Sequence, residues 1–160
     1  MRRTTIIFVS LFFLSVAFLA GRASEFKPVQ AGSQVPTIQT DLNPDTLLAL
    51  VSQYRAENNL KPLKKLDLLC QFAQERADHI AKNDDWSHDG FQPLADQEPY
   101  YSNLIFLGEN LARNIPYNKA ILDAWINSPT HNENLLNRYY SYGCVALKDE
   151  YVVMTYGALH

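Results

Sequence analysis

The sequence predicts an α+β domain in which helices cover both faces of a small sheet. Apolar residues recur at three- and four-residue spacing over several stretches, as amphipathic helices require. Near the end of the chain the pattern changes to two runs of β-branched and aromatic residues, as strands require. Those runs are apolar at successive positions. A strand with one wet face alternates, whereas one covered on both faces does not.

Taken in order, the chain begins with Arg2 and Arg3, then residues 6–20 carry no charge, and small residues follow at Gly21 and Ala23. This is the order of a secretion signal, with cleavage expected between Ala23 and Ser24. A retained anchor is the rival reading, because a bilayer core takes about 20 residues and 4–21 are uncharged. Both readings place the remainder outside the cytoplasm, secreted or tethered by its N-terminus. Residues 24–42 are rich in Ser, Gln, Thr and Pro without a hydrophobic period, which is linker composition. The folded domain is therefore expected over 43–160.

Asn43, Pro44 and Asp45 form a helix start: a capping side chain, a proline in the first turn and an acid near the positive end of the helix dipole. Leu47, Leu48, Val51 and Tyr54 continue it to about Asn58, and Pro62 ends it. Residues 67–82 repeat the pattern with Leu69, Phe72, Ala73, Ala77 and Ile80. Residues 83–116 contain Gly90, Pro93, Pro99, Gly108 and Pro116, so an irregular segment is expected, interrupted by a short apolar stretch at 104–107. A third helix is expected over 118–127 and a fourth, started by Ser128-Pro129, to about Asn137. Residues 142–147 and 151–156, joined by a polar turn, read as a hairpin.

Removing residues 1–23 removes three arginines and no acid, so the net charge moves from −3 to −6. No basic cluster exceeds Lys64-Lys65, which excludes nucleic acid as the expected partner. Cys70 and Cys144 sit among apolar neighbours. They form one disulfide or two buried thiols, and neither reads as a nucleophile. The chain lacks G-x-S-x-G, H-E-x-x-H, S-x-x-K and a phosphate-cradling glycine loop.

Chemistry therefore rests on histidine and carboxylate. His79 and His160 read as incidental. His88, just past the second helix, His131, in the fourth, and Glu109, after a glycine in the irregular segment, would form a site if the fold brought them together, since imidazole and carboxylate bind zinc and move protons. Residues 85–96 imitate calcium-loop spacing, but Pro93 and Gln92 occupy positions that argue against it. Glu133 lies about 200° around a helix from His131, so it is expected to cap Thr130 or meet solvent.

Gly108-Glu109-Asn110-Leu111, the stretch Trp125 to Leu136 containing Ser128-Pro129-Thr130-His131-Asn132-Glu133-Asn134, then Tyr142-Gly143-Cys144-Val145 and Tyr156-Gly157 together resemble the CAP superfamily. This is the SCP domain of cysteine-rich secretory proteins, antigen 5 and pathogenesis-related proteins, in its bacterial form. Tyr54-Arg55, Asn58 and Leu60 are similar to the family's first helix. The resemblance implies a three-layer α-β-α sandwich with an antiparallel sheet. It also implies a cleft in which His88 is the first histidine, Glu109 the acid and His131 the second histidine. The second acid of many eukaryotic members falls here on Ser128.

The expected function is an exported ligand- or metal-binding module without catalysis, in which His88 and His131 bind a divalent metal such as zinc and Glu109 orients one ring. The natural ligand is expected to be a small molecule, lipid or peptide. A hydrolase using Glu109 as base, with a His-bound metal, is the alternative; a cell-envelope adhesion or lipid-binding domain is a third reading.

Overall fold

The structure, a computed structural model, describes residues 42–160. The expected signal or anchor at 1–23 lies outside the described residues, as does the expected linker except for Leu42, which rests against the core.

The elements are α1 (Pro44–Glu57), β1 (Lys64–Lys65), α2 (Asp67–Asn83), α3 (Phe91–Ala95), α4 (Tyr100–Asn103), β2 (Leu104–Arg113), α5 (Asn118–Ile126), α6 (Pro129–Leu135), β3 (Tyr142–Lys148) and β4 (Tyr151–Leu159). Four strands form one sheet in the order β1-β3-β4-β2. The central hairpin β3-β4 and the pair β2-β4 are antiparallel. Two-residue β1 adds a parallel edge, pairing Lys64 with Tyr142 and Lys65 with Gly143. The sheet is thus mixed at one margin, a detail that two lysines do not betray in sequence.

Both faces are covered, for the reason the apolar runs suggested. Side chains of successive strand residues point to opposite faces. Val145, Val152, Met154 and Tyr156 pack with Leu47 and Val51 of α1 and Ile121 and Trp125 of α5. Ala146, Tyr151 and Val153 meet Ala73, Ala77 and Ile80 of α2, and Cys144 meets Leu69 and Phe72. The result is a helix-sheet-helix sandwich with α1, α5 and α6 on one side and α2 on the other. Cys70 and Cys144 form a disulfide that ties α2 to β3 across 74 residues of chain, deciding between the two readings of these cysteines.

Asn43 caps α1 as expected, its side chain accepting from the Thr46 N–H at 3.0 Å. Helix α6 stops at Leu135, two residues short of the expected end. The expected irregular segment 83–116 needs correction. It holds two short helices and then a ten-residue strand, β2, where only residues 104–107 were expected to break the loop. Two features hide the strand. Its register against β4 shifts between Ile105 and Gly108, and Phe106 adopts φ 52°, a left-handed conformation that aromatic residues rarely hold. Its centre is also polar: Glu109 and Asn110 are buried because each finds partners, not because either is apolar.

Candidate functional site

Strand β2 is an edge strand, and the candidate site straddles it. Alternation sends Glu109 and Leu111 toward α2, and Asn110 and Ala112 toward α5 and α6. His88 hangs from the segment after α2. That segment is held by Asp84, which accepts from the Tyr151 hydroxyl at 2.6 Å, and by Trp86, whose ring lies 5.7 Å from that of Tyr151. His131 comes from α6 in the opposite layer. The two imidazoles lie close enough for a charge on His88 to be felt at His131.

Each residue of Gly108-Glu109-Asn110 has a separate task. A Cβ on Gly108 would collide with the Tyr140 hydroxyl and press on Asn134 Oδ1, so only glycine lets the 134–140 segment come this close. Glu109 Oε1 accepts from His88 Nδ1 at 2.9 Å. The same carboxylate takes Arg76 Nε on Oε2 at 2.9 Å and Arg76 Nη2 on Oε1 at 3.2 Å. Asn110 donates to the His131 carbonyl at 3.0 Å, fixing α6 over the edge. Asn134 then donates to the outward carbonyl of Glu109 and to Asn110 Oδ1, both at 3.0 Å. An edge carbonyl that would otherwise invite another strand is thereby occupied.

Arg76 is the member that sequence reasoning missed. Its side chain is 1% exposed and that of Glu109 is 2%, so the pair is a buried, forked ion pair. Arg76 Nη2 also donates to the Ser87 carbonyl at 3.1 Å, so one guanidinium positions both the carboxylate and the backbone leading to His88. The signal was present: Arg76 falls on the stripe Phe72, Ala73, Ala77, Ile80, where a solvated arginine would not sit. Asn134 and Tyr140 were also missed, and nothing in their spacing marks them.

The carboxylate can only accept, so neutral His88 carries its proton on Nδ1 and turns the Nε2 lone pair outward; the side chain is 57% exposed. His131 titrates below the ordinary histidine value, first because it is partly buried and second because a charge on His88 opposes one on it. His131 is therefore a lone-pair donor near neutral pH, and the neutral form of His88 presents Nε2 beside it. Among the described residues no group of three or more His, Cys, Asp or Glu side chains is placed to hold a metal ion. Two imidazoles are what the site offers, with Glu109 committed to Arg76 and His88.

The remaining candidates do not join. His79 is half exposed, 3.8 Å from Asp85, and the His160 N–H bonds the Asn103 carbonyl. The 85–96 stretch enters α3 at Phe91. Glu133 is exposed and no side-chain bond caps α6, so of its two expected roles it takes the second and meets solvent.

The ordered pattern of motifs and this geometry meet in one comparison: the model of the cysteine-rich secretory protein family, CAP, matches residues 48–156. The chain belongs to the CAP family. Its CAP domain is 30% identical over 107 residues to an uncharacterized protein of Borreliella burgdorferi, covering 66% of this chain and 68% of that protein. Among solved structures it resembles an outer surface protein of Borrelia burgdorferi, with TM-score 0.63 and 25% identity over 72% of this chain and 92% of that one. An extracellular SCP-domain protein of Bacillus anthracis shares the fold at TM-score 0.65 and 22% identity, covering 71% of this chain. A cysteine-rich secretory protein of Staphylococcus aureus does so at 0.64 and 18%, again over 71%. The chain spans only 39% and 37% of those last two proteins. No helix among the described residues is long and apolar enough to cross a membrane.

Proposed function

We propose that this CAP protein is an extracytoplasmic binding module, and that its ligand meets the outward Nε2 of His88 together with the ring of His131. The observation that carries this reading is the commitment of Glu109. Both its oxygens accept bonds from Arg76, and Oε1 also accepts from His88. A general base needs a free lone pair within reach of a substrate proton or water. Glu109 is instead placed to orient and polarise His88, as carboxylates do behind ligating imidazoles. A divalent ion such as zinc fits as a loosely held ligand of His88 and His131, with positions left for water or an incoming small molecule, lipid or peptide. With only two protein ligands, a tightly held structural zinc does not fit. Extracytoplasmic placement is supported by the disulfide, by the extracellular and outer-surface descriptions of the similar proteins, and by residues 1–23.

Calorimetric titration of zinc into the full chain tests the reading. The expected result is a saturable heat in the wild type that disappears in His88→Ala/His131→Ala; an unchanged heat in that variant refutes it. Turnover of peptide or ester substrates that collapses in Glu109→Gln would instead establish the hydrolase.

A further inference from the structure

A cavity of about 760 Å³ opens between the end of α1, the approach to β1 and residues 138–142, away from the two histidines. Its charge is out of keeping with the rest of the domain. Residues 42–160 contain 15 Asp and Glu against 10 Lys and Arg. Four of those ten cations line this cavity, Arg55, Lys61, Lys64 and Arg138, and no acid does. Elsewhere the cations are mostly matched: Lys65 with Asp45, Arg76 with Glu109, Arg113 with Asp84 and Glu150, Lys119 with Asp123. Among the described residues Lys61, Lys64 and Arg138 have no carboxylate within 4.0 Å.

The floor of the cavity strengthens the case. Arg55 is 1% exposed and satisfies its guanidinium only with neutral carbonyls: Lys61, Leu135, Asn137 and Tyr140, at 2.7 to 3.1 Å. A buried cation without a counter-ion projects its field into the adjoining space, where water screens it least. The same four bonds pin both walls, so the site is built before any ligand arrives. The three rim cations are exposed; Arg138 rests on the Tyr139 ring and donates to its hydroxyl at 3.2 Å, and would exchange that neutral partner for an anion.

We propose that this cavity binds the phosphate group of a phosphate monoester, with Lys61, Lys64 and Arg138 as its counter-charges. A doubly charged oxyanion suits several separate point charges, whereas a lone carboxylate is served best by one free arginine fork. The Arg55 fork is already spent on carbonyls. Apolar Leu60, Leu63 and Tyr142 wall the same space and would receive the organic body of the ester. The phosphate can come from a soluble metabolite or from a lipid headgroup, since the chemistry recognised is shared.

The test follows backbone amide resonances of Ser141 and Tyr142 in the full chain held in nonionic detergent. Three probes are titrated at fixed ionic strength: inorganic phosphate, glycerol phosphate, and detergent micelles doped with phosphatidic acid. Saturable shifts are expected with at least one probe. They should weaken at least about tenfold in Lys61→Gln/Lys64→Gln/Arg138→Gln and persist in Lys61→Arg/Lys64→Arg/Arg138→Lys. Response to the soluble probes identifies a metabolite site, and response to doped micelles alone identifies a headgroup site. Shifts no larger than a chloride control for all three probes, or equal binding by the glutamine variant, would overturn the proposal. His88→Ala/His131→Ala is expected to bind these probes normally, so the outcome is independent of the histidine cleft.

Discussion

Replacing Arg76 by methionine keeps most of the buried volume on α2 and removes the charge that holds Glu109. Three contacts go with it: Nε to Oε2 at 2.9 Å, Nη2 to Oε1 at 3.2 Å and Nη2 to the Ser87 carbonyl at 3.1 Å. The carboxylate left behind is 2% exposed, and His88 is its only remaining side-chain partner. Removing one member of a buried pair costs about 3–5 kcal/mol, most of it the penalty of an uncompensated buried charge. For a domain of this size that loss lowers the melting temperature by roughly 10–20 °C. Urea unfolding followed by fluorescence of buried Trp125 measures it. The cycle is closed with Glu109→Leu and the double variant Arg76→Met/Glu109→Leu. With no charge left buried, the double variant is expected to be more stable than Arg76→Met alone. A double variant whose loss equals the sum of the singles, or an Arg76→Met loss below about 1 kcal/mol, would refute the argument that this pair is a buried, coupled unit.

Other outcomes follow from the same geometry. His131 has a folded-state pKa below its unfolded one, so the unfolded chain takes up protons first as pH falls. Stability is therefore expected to decline as pH drops below about 6.5, and His131→Gln should flatten that limb in urea midpoints measured across pH. Replacing both Cys70 and Cys144 by alanine should cost about 4 kcal/mol, the chain-entropy value for a loop of 74 residues, seen as a lower urea midpoint. Gly108→Ala drives a methyl into the Tyr140 hydroxyl and is expected to cost about 1–3 kcal/mol, with part of the loss recovered in Gly108→Ala/Tyr140→Phe. Finding no recovery would mean that the ring itself, and not its hydroxyl, sets the limit.

What could be read from sequence divides along a physical line. Helices α1, α2, α5 and α6 and the β3-β4 hairpin were legible because each carries its own periodicity, cap or proline, and these are local signals. Strand β2 was not, because Gly108, Glu109 and Asn110 break its apolar run and their burial depends on Arg76, Asn134 and Tyr140, which lie 24 to 33 residues away along the chain. The site divides the same way. His88, Glu109 and His131 were named from motif order, but that Glu109 faces Arg76 as well as His88 is a product of tertiary packing. Ser128 stands where the resemblance implies a second acid, and the structure adds none: among the described residues the candidate site is two imidazoles and one committed carboxylate.

The disulfide between α2 and β3 has a bearing on how such a chain reaches its destination. Cys70 and Cys144 can join only where thiols are oxidised, so in a reducing cytoplasm the domain lacks one of its strongest constraints. A polypeptide that must be threaded through a translocation channel gains from being easy to unravel beforehand and hard to unravel afterwards. Locking the central hairpin to the helix beneath it separates those two conditions by compartment. For the extracytoplasmic module proposed above, the bond would act as a ratchet on the crossing, the chain passing while loose and being fastened on arrival.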